Sequence, residues 1–304
     1  MTTLDVAEGS PEIDYSIHSW PKLIFIISVF IIGFYGIYHG YKNYSEVYPI
    51  INSNIVYYFI TMLGITLGAH RYGTHLGLIS PWAEATVVTI AYSAGLQGAL
   101  DWWIATHMKH HAREDVIGED PHTPLEGFWH SFVLWLVRKQ GCTNPELKYY
   151  ALPKDPTGVN KRVIEWQSRN HIWLTVLMVL IVPLAIGYIY GDTLGGFLIG
   201  CTKIMFVWTF TWIVNSVGHM LGKRTTRSKA TNIGWGIFGF ILAILTCGES
   251  LHANHHASPR YWYLGRKISD GDFGGWFAYC YSILTWRIKF ISKISNKEKN
   301  FKPA

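Results

Sequence analysis

Nine of the fourteen histidines in this chain gather into three clusters and one outlier. The clusters are His70-Arg71-Tyr72-Gly73-Thr74-His75, His107-Met108-Lys109-His110-His111 and His252-Ala253-Asn254-His255-His256. The outlier is His219, in Asn215-Ser216-Val217-Gly218-His219. The HxxHH pattern occurs twice and places imidazoles at i, i+3 and i+4, on one face of a helix. The HxxxxH spacing of His70 and His75 fits a regular helix poorly, so it predicts a frayed or widened turn. Neutral imidazole suits zinc, copper and iron. Nine such ligands exceed what one ion needs and suffice for two. Structural zinc usually brings cysteine and closes with four ligands, so a histidine-only pair of sites points to a redox metal, with iron first. The isolated His18, His39, His130 and His171 read as ordinary core or surface residues.

Each cluster follows an apolar stretch, and those stretches must position it. Of the 304 residues, 49% are hydrophobic and only 15% charged, against roughly 25% charged in soluble domains. The class is a multi-pass membrane protein. The net charge of +6 does not indicate nucleic acid, because the basic residues flank apolar runs. Four stretches are long enough to span: Lys22–Tyr41, Ile50–Ala69, Ile172–Tyr190 and Phe197–Ser216. Loops at Asn43–Pro49 and Gly191–Gly196 join them in two hairpins, which puts residues 1–20, 70–171 and 217–304 on one side. Leu78–Leu100 and Ile233–Cys247 read as interfacial helices, because a crossing at either would separate histidines that share a site.

The predicted fold is therefore all-α, with four transmembrane helices under a helical cap that carries the histidines. The far loops hold little basic charge, with Lys42 in one and Lys203 near the other. The histidine side is rich in it, so that side and both termini are expected to be cytoplasmic. The N-terminus lacks a basic leader segment and reads as a surface tail over 1–21. The core spans 22–265, and 266–304 reads as a basic tail. Cys142, Cys201, Cys247 and Cys280 form no CxxC pair and read as reduced packing residues.

The three histidine clusters in this order, with Asn215-x-x-x-His219 between the second and third, resemble the membrane fatty acyl desaturases. The stearoyl-CoA and bacterial Δ9-type branch is the most similar. Gly64-Ile65-Thr66-Leu67-Gly68-Ala69-His70-Arg71, Asp120-Pro121-His122, Thr211-Trp212-Ile213-Val214-Asn215-Ser216 and Gly248-Glu249 carry the same resemblance. It implies that His70, His75, His107, His110, His111, His219, His252, His255 and His256 hold two irons, and that Asn215 positions a water on one of them. Dioxygen and two electrons would be cosubstrates. The electrons would come from a separate cytochrome b5-like protein or ferredoxin, docked on the basic surface around Arg224, Arg227 and Lys229.

Asp120 and Glu249 are then expected to orient imidazole N–H groups, although Asp120 also reads as a turn cap before Pro121. Trp212 would line the acyl tunnel, and Tyr58 would limit its depth. Arg138 and Lys139 match a basic pair near the carrier end. The chain departs from the animal acyl-CoA enzymes at Ala105 and Thr106, where those have Arg-Asp, and at Phe132, where they have histidine. An acyl-CoA, an acyl carrier protein and a membrane glycerolipid therefore all stay open as carriers. The same site is compatible with hydroxylation, acetylenation or oxidative decarboxylation. A metal transporter or buffer would place ionisable residues along the spans, and these spans are nearly free of them.

Overall fold

The computed structural model describes residues 16–138, 158–225, 228–234, 236–285 and 287–290. Lys139, Cys142 and Arg227 lie outside the described residues. The described chain forms α1 (Trp20–Lys42), α2 (Tyr44–Thr74), β1 (Leu78–Ile79), α3 (Trp82–Ser93), α4 (Leu100–Ala112) and α5 (Phe128–Phe132). After these come α6 (Val159–Ile189), α7 (Thr193–Met220), β2 (Lys223–Arg224), β3 (Thr231–Asn232), α8 (Gly236–Leu245), α9 (His252–Ala257), α10 (Phe273–Thr285) and β4 (Lys289–Phe290).

Apolar backbone in lipid must satisfy its own N–H and C=O groups, which helices do. Four helices, α1, α2, α6 and α7, are long and apolar enough to cross a membrane. At 31 residues, α2 is roughly 46 Å long, well over the roughly 30 Å of hydrocarbon. The excess carries its C-terminal end, with His70 and His75, beyond the apolar layer. The 28 residues of α7 do the same for His219. Close approach lets these helices pack: a side chain on Gly36 would lie 2.4 Å from the Leu198 carbonyl, so only glycine fits between α1 and α7. The core beneath the cap includes Met62, Ile65, Leu100, Ile104, Ile164, Ile204 and Val207.

Both hairpin connections are tighter than the sequence suggested. Asn43 alone separates α1 from α2, and Pro49 lies inside α2. Proline is tolerated there because the one carbonyl it leaves unbonded belongs to exposed Ser45. Residues 190–192 connect α6 to α7, and Asp192 caps the new helix by accepting from Gly195 N–H at 2.7 Å. Neither α3 nor α8 crosses. At 12 and 10 residues they are roughly 18 and 15 Å long. The stretch after 265 is folded to Phe290 rather than a tail, with β4 pairing antiparallel to β1 through Leu78↔Phe290 and Ile79↔Lys289. Lys203 is not near the far loop: it lies on the third turn of α7 and is buried.

Candidate metal centre

The widened turn expected from HxxxxH runs for eleven residues, as the π-helical end of α2 over Gly64–Thr74. His75 N–H reaches the His70 carbonyl at 3.1 Å, an i to i+5 bond. This turn brings His70 and His75 onto one side, which a regular helix would not do. Glycine permits it: a Cβ on Gly64 would stand 2.3 Å from the Tyr92 backbone nitrogen of α3.

The nine histidines converge in two groups whose ligand atoms each lie within 4.8 Å of one another. One holds His70, His75, His107, His111 and His255; the other holds His110, His219, His252 and His256. The two HxxHH motifs divide in reciprocal fashion. The i, i+4 pair of α4, His107 and His111, joins the first group while His110 joins the second. The i, i+4 pair of α9, His252 and His256, joins the second group while His255 joins the first. Adjacent residues point about 100° apart on a helix, so the neighbouring pairs His110-His111 and His255-His256 each reach into both groups.

Every close approach runs through Nε2. In the first group the contacts are His70–His255 at 2.9 Å, His255–His111 at 2.8 Å, His111–His107 at 3.0 Å and His107–His75 at 3.2 Å. In the second they are His219–His252 at 3.0 Å, His252–His256 at 3.1 Å and His256–His110 at 3.2 Å. Four of the opposite nitrogens face carboxylates. Nδ1 of His70 is 2.6 Å from Glu249, that of His110 is 2.9 Å from Asp120, that of His256 is 3.3 Å from Glu114 and that of His219 is 3.4 Å from Asp115. An Nδ1–H donated outward fixes the neutral tautomer and leaves the Nε2 lone pair facing the cluster. Lone pairs crowded at this spacing repel unless a cation sits among them, so the donor set fits two metal ions.

Burial disfavours the charged form of seven of the nine rings. It pushes His75, His107, His110, His111, His252, His255 and His256 well below the ordinary histidine value, and neighbouring imidazoles add to the effect. Burial pushes Glu249 up, but His70 and Arg71 more than offset it and hold the carboxyl below its usual range. Burial keeps Asp120 above its usual range. Asp120 also accepts from Asp115 N–H at 2.9 Å and His122 N–H at 3.1 Å, so it holds the turn and His110 together.

A stability prediction follows. A group whose folded pKa is depressed contributes stability that is present above its unfolded pKa, here about 6.5, and is lost as pH falls below that. Each such imidazole costs about 1.4 kcal/mol per pH unit in that window. The metal-free protein in detergent is expected to lose thermal stability steeply from pH 6.5 downward and to be flat from pH 7 to 8. A pH series of unfolding midpoints checks this; equal midpoints at pH 5 and 7.5 would contradict it.

A cavity of about 510 Å³ meets the cluster, with His107, His122 and Asn215 in its lining. Its size falls in the range of roughly 300–1,000 Å³ of small-ligand sites. Trp212 lines it and is held by stacking on Phe30 at 5.9 Å and Trp208 at 5.3 Å. Lys22 is exposed and lines the open side. Tyr58 is not among the lining residues; its hydroxyl donates to the Leu245 carbonyl at 2.6 Å. Arg138 is turned to His130, with Nη1 at 2.9 Å from Nδ1, and does not line the cavity.

Several site residues escaped the sequence reading. Glu114 and Asp115 directly follow the second cluster but look like a solvated acidic turn. Gln97 reaches Thr211 Oγ1 at 3.1 Å and accepts from Trp103 Nε1 at 2.9 Å. The Trp103 ring stacks on His107 at 5.2 Å, which ties the cavity wall to the cluster. His122 lies with its ring 4.3 Å from that of His110, and burial holds it down to about 3. Arg71 is fully buried, with Nη2 2.7 Å and Nη1 3.0 Å from the two oxygens of Asp272. That pair ties the end of α2 to the segment after the last cluster.

Two groups of buried histidines above four apolar helices define the class: a membrane-spanning protein built around a site able to hold two metal ions. The chain belongs to the fatty acid desaturase family, whose model matches residues 49–269. It is 28% identical to acyl-CoA desaturase 1 of Saccharomyces cerevisiae over 244 residues, covering 79% of this chain and 45% of the relative. It is 29% identical to sn-1 stearoyl-lipid 9-desaturase of Anabaena variabilis over 245 residues, covering 78% of this chain and 82% of the relative. It is 31% identical to hex-5-enoyl-[acyl-carrier protein] acetylenase of Moorena producens over 248 residues, covering 76% and 71%. The chain spans less than half the length of the two yeast acyl-CoA relatives it matches.

Proposed function

We propose that this chain is a membrane fatty acyl desaturase that introduces a cis double bond into a saturated acyl chain. The observation that carries the reading is the junction of cavity and cluster: His107 belongs to the five-histidine group and also lines the apolar cavity. Two irons bound by the nine histidines would supply the oxidising power, with dioxygen and two electrons from a separate donor. The chain's own residues do the positioning. The aromatic walls at Trp103, Trp208 and Trp212 exclude water and hold a flexible chain so that one C–H pair faces the cluster. Asn215, one turn before His219 on α7, completes the four-histidine group by holding a water. Asp120, Glu249, Glu114 and Asp115 orient their imidazoles and set the tautomer that leaves Nε2 facing the cluster.

The carrier is proposed from the cavity lining. Thr106 is in that lining where the animal acyl-CoA enzymes carry charge. The lack of charge at Thr106 supports a glycerolipid or carrier-protein thioester over CoA, and Lys22 is the cation in that lining. Tyr58 would act on chain length only indirectly, through its packing on Phe59 and Phe210. The histidine side is proposed to be cytoplasmic, with Lys109, Arg113, Lys223 and Lys229 flanking the spans there. Arg224 and Lys229 would dock an acidic cytochrome b5-like or ferredoxin donor.

The test is turnover by iron-loaded, reduced protein on saturated acyl-CoA, acyl carrier protein and phospholipid, read by mass spectrometry. An unsaturated acid from one carrier supports the reading and names the carrier. No product from any of them with iron bound overturns it. A second reading, acetylenation, is favoured by the likeness to the Moorena producens protein; a triple bond formed from an enoyl substrate would establish it.

A further inference from the structure

Besides Arg71 at the histidine end of α2, the spans bury a second cation among the described residues, Lys203, which lies outside the histidine cluster. It is 3% exposed on α7. Its Nζ donates to the Ala94 carbonyl at 2.8 Å and lies 3.4 Å from Thr61 Oγ1, over the Tyr57 ring at 4.2 Å. An intramembrane cation is costly and persists where it does something. Ala94 is the C-cap of α3, the short helix that does not cross. The last carbonyls of such a helix have no helical partner, and Ala94 is buried, so its carbonyl needs a partner from the protein.

Helix α7 satisfies them. Lys203 takes the Ala94 carbonyl and Trp208 Nε1 takes the next one, Gly95, at 3.0 Å. One turn further on, Thr211 accepts from Gln97. The turn held this way, residues 96–99, forms one wall of the cavity. Leu96 within it has φ of 53°, a backbone conformation that a side chain disfavours, so the turn depends on its anchors.

We infer that Lys203 is a positioning residue, which sets the depth of the 94–99 turn and so fixes which carbons of the acyl chain lie opposite the metal centre. It does not line the cavity, so it would act on regiochemistry and chain length without touching substrate. The inference rests on the desaturase reading. Displacement of about 1 Å can cost on the order of a hundredfold in positioning, enough to redistribute a double bond among neighbouring carbons.

The test expresses the full chain and locates double bonds in the product fatty acids by derivatisation and mass spectrometry. Wild type, Lys203→Met, Lys203→Gln and Lys203→Arg are compared at equal protein and iron content. Lys203→Met removes the donor, and Lys203→Gln is one bond too short to reach Ala94. Both are expected to raise the share of neighbouring isomers or altered chain lengths about tenfold, while Lys203→Arg keeps the wild-type pattern. An unchanged product pattern in Lys203→Gln, with iron bound, overturns the inference. So does failure of both the Met and Gln variants to fold, which would make Lys203 a stability residue only. Absence of product from wild type would instead sink the desaturase reading itself.

Discussion

Replacing His255 by alanine is expected to abolish product formation, by more than about a hundredfold, together with loss of bound iron. His255 is the hub of the five-histidine group: its Nε2 lies 2.9 Å from that of His70 and 2.8 Å from that of His111. No other residue of α9 contributes a ligand atom to that group. Removing it leaves four imidazoles without the one that joins the third cluster to the first two. The backbone of α9 does not depend on the ring, so the variant should fold and keep its place in the membrane. Iron per chain and double-bond yield are measured on the same preparation. Full iron and full yield in His255→Ala would show that the grouping has been read wrongly.

The second large effect is expected at a residue that touches no ion. Glu249→Gln should cost roughly 10- to 100-fold in iron affinity or turnover, the usual scale for groups that orient metal-bound histidines. Glu249 lies 2.6 Å from His70 Nδ1, accepts from Thr66 Oγ1 and is 4.0 Å from Arg71 Nη2. A glutamine amide can present N–H to Nδ1, which favours the tautomer with its proton on Nε2, facing the cluster. Glu249→Asp keeps the charge at a longer reach and should lose less. Iron competition titration combined with turnover checks the order wild type, Asp, Gln. Equal affinity and turnover in wild type and Gln would remove Glu249 from the centre.

Much of this centre is legible in the sequence because helical periodicity is local. HxxHH needs only a helix to put three rings on one face, and α4 and α9 are helices. The HxxxxH spacing is intelligible once the turn is allowed to widen, as it does over Gly64–Thr74. The four apolar runs declare their spans by length. What stays hidden depends on neighbours distant in the chain. The division of His110 from His111, and of His255 from His256, follows from how α4 and α9 face each other, which spacing alone does not encode.

The wall contact of Gln97 with Thr211 joins residues 114 positions apart. Glu114 and Asp115 have the composition of a solvated turn, and only the fold shows them behind His256 and His219. Lys203 looked like a loop cation because basic residues ordinarily flank spans. Its burial became intelligible only when α3 was seen to end beside it. The folded segment after 265 has a similar origin, since Asp272 is buried by Arg71, 201 residues away.

The central claim is that the cavity delivers an acyl chain to a metal centre built from nine histidines. Its most direct test is gas chromatography–mass spectrometry of total fatty acids from cells expressing wild type or His255→Ala, with double bonds located by derivatisation. The account predicts a new cis-unsaturated acid with a defined bond position in wild type alone. Identical fatty acids in the two strains, with iron bound and a competent electron donor present, would contradict it.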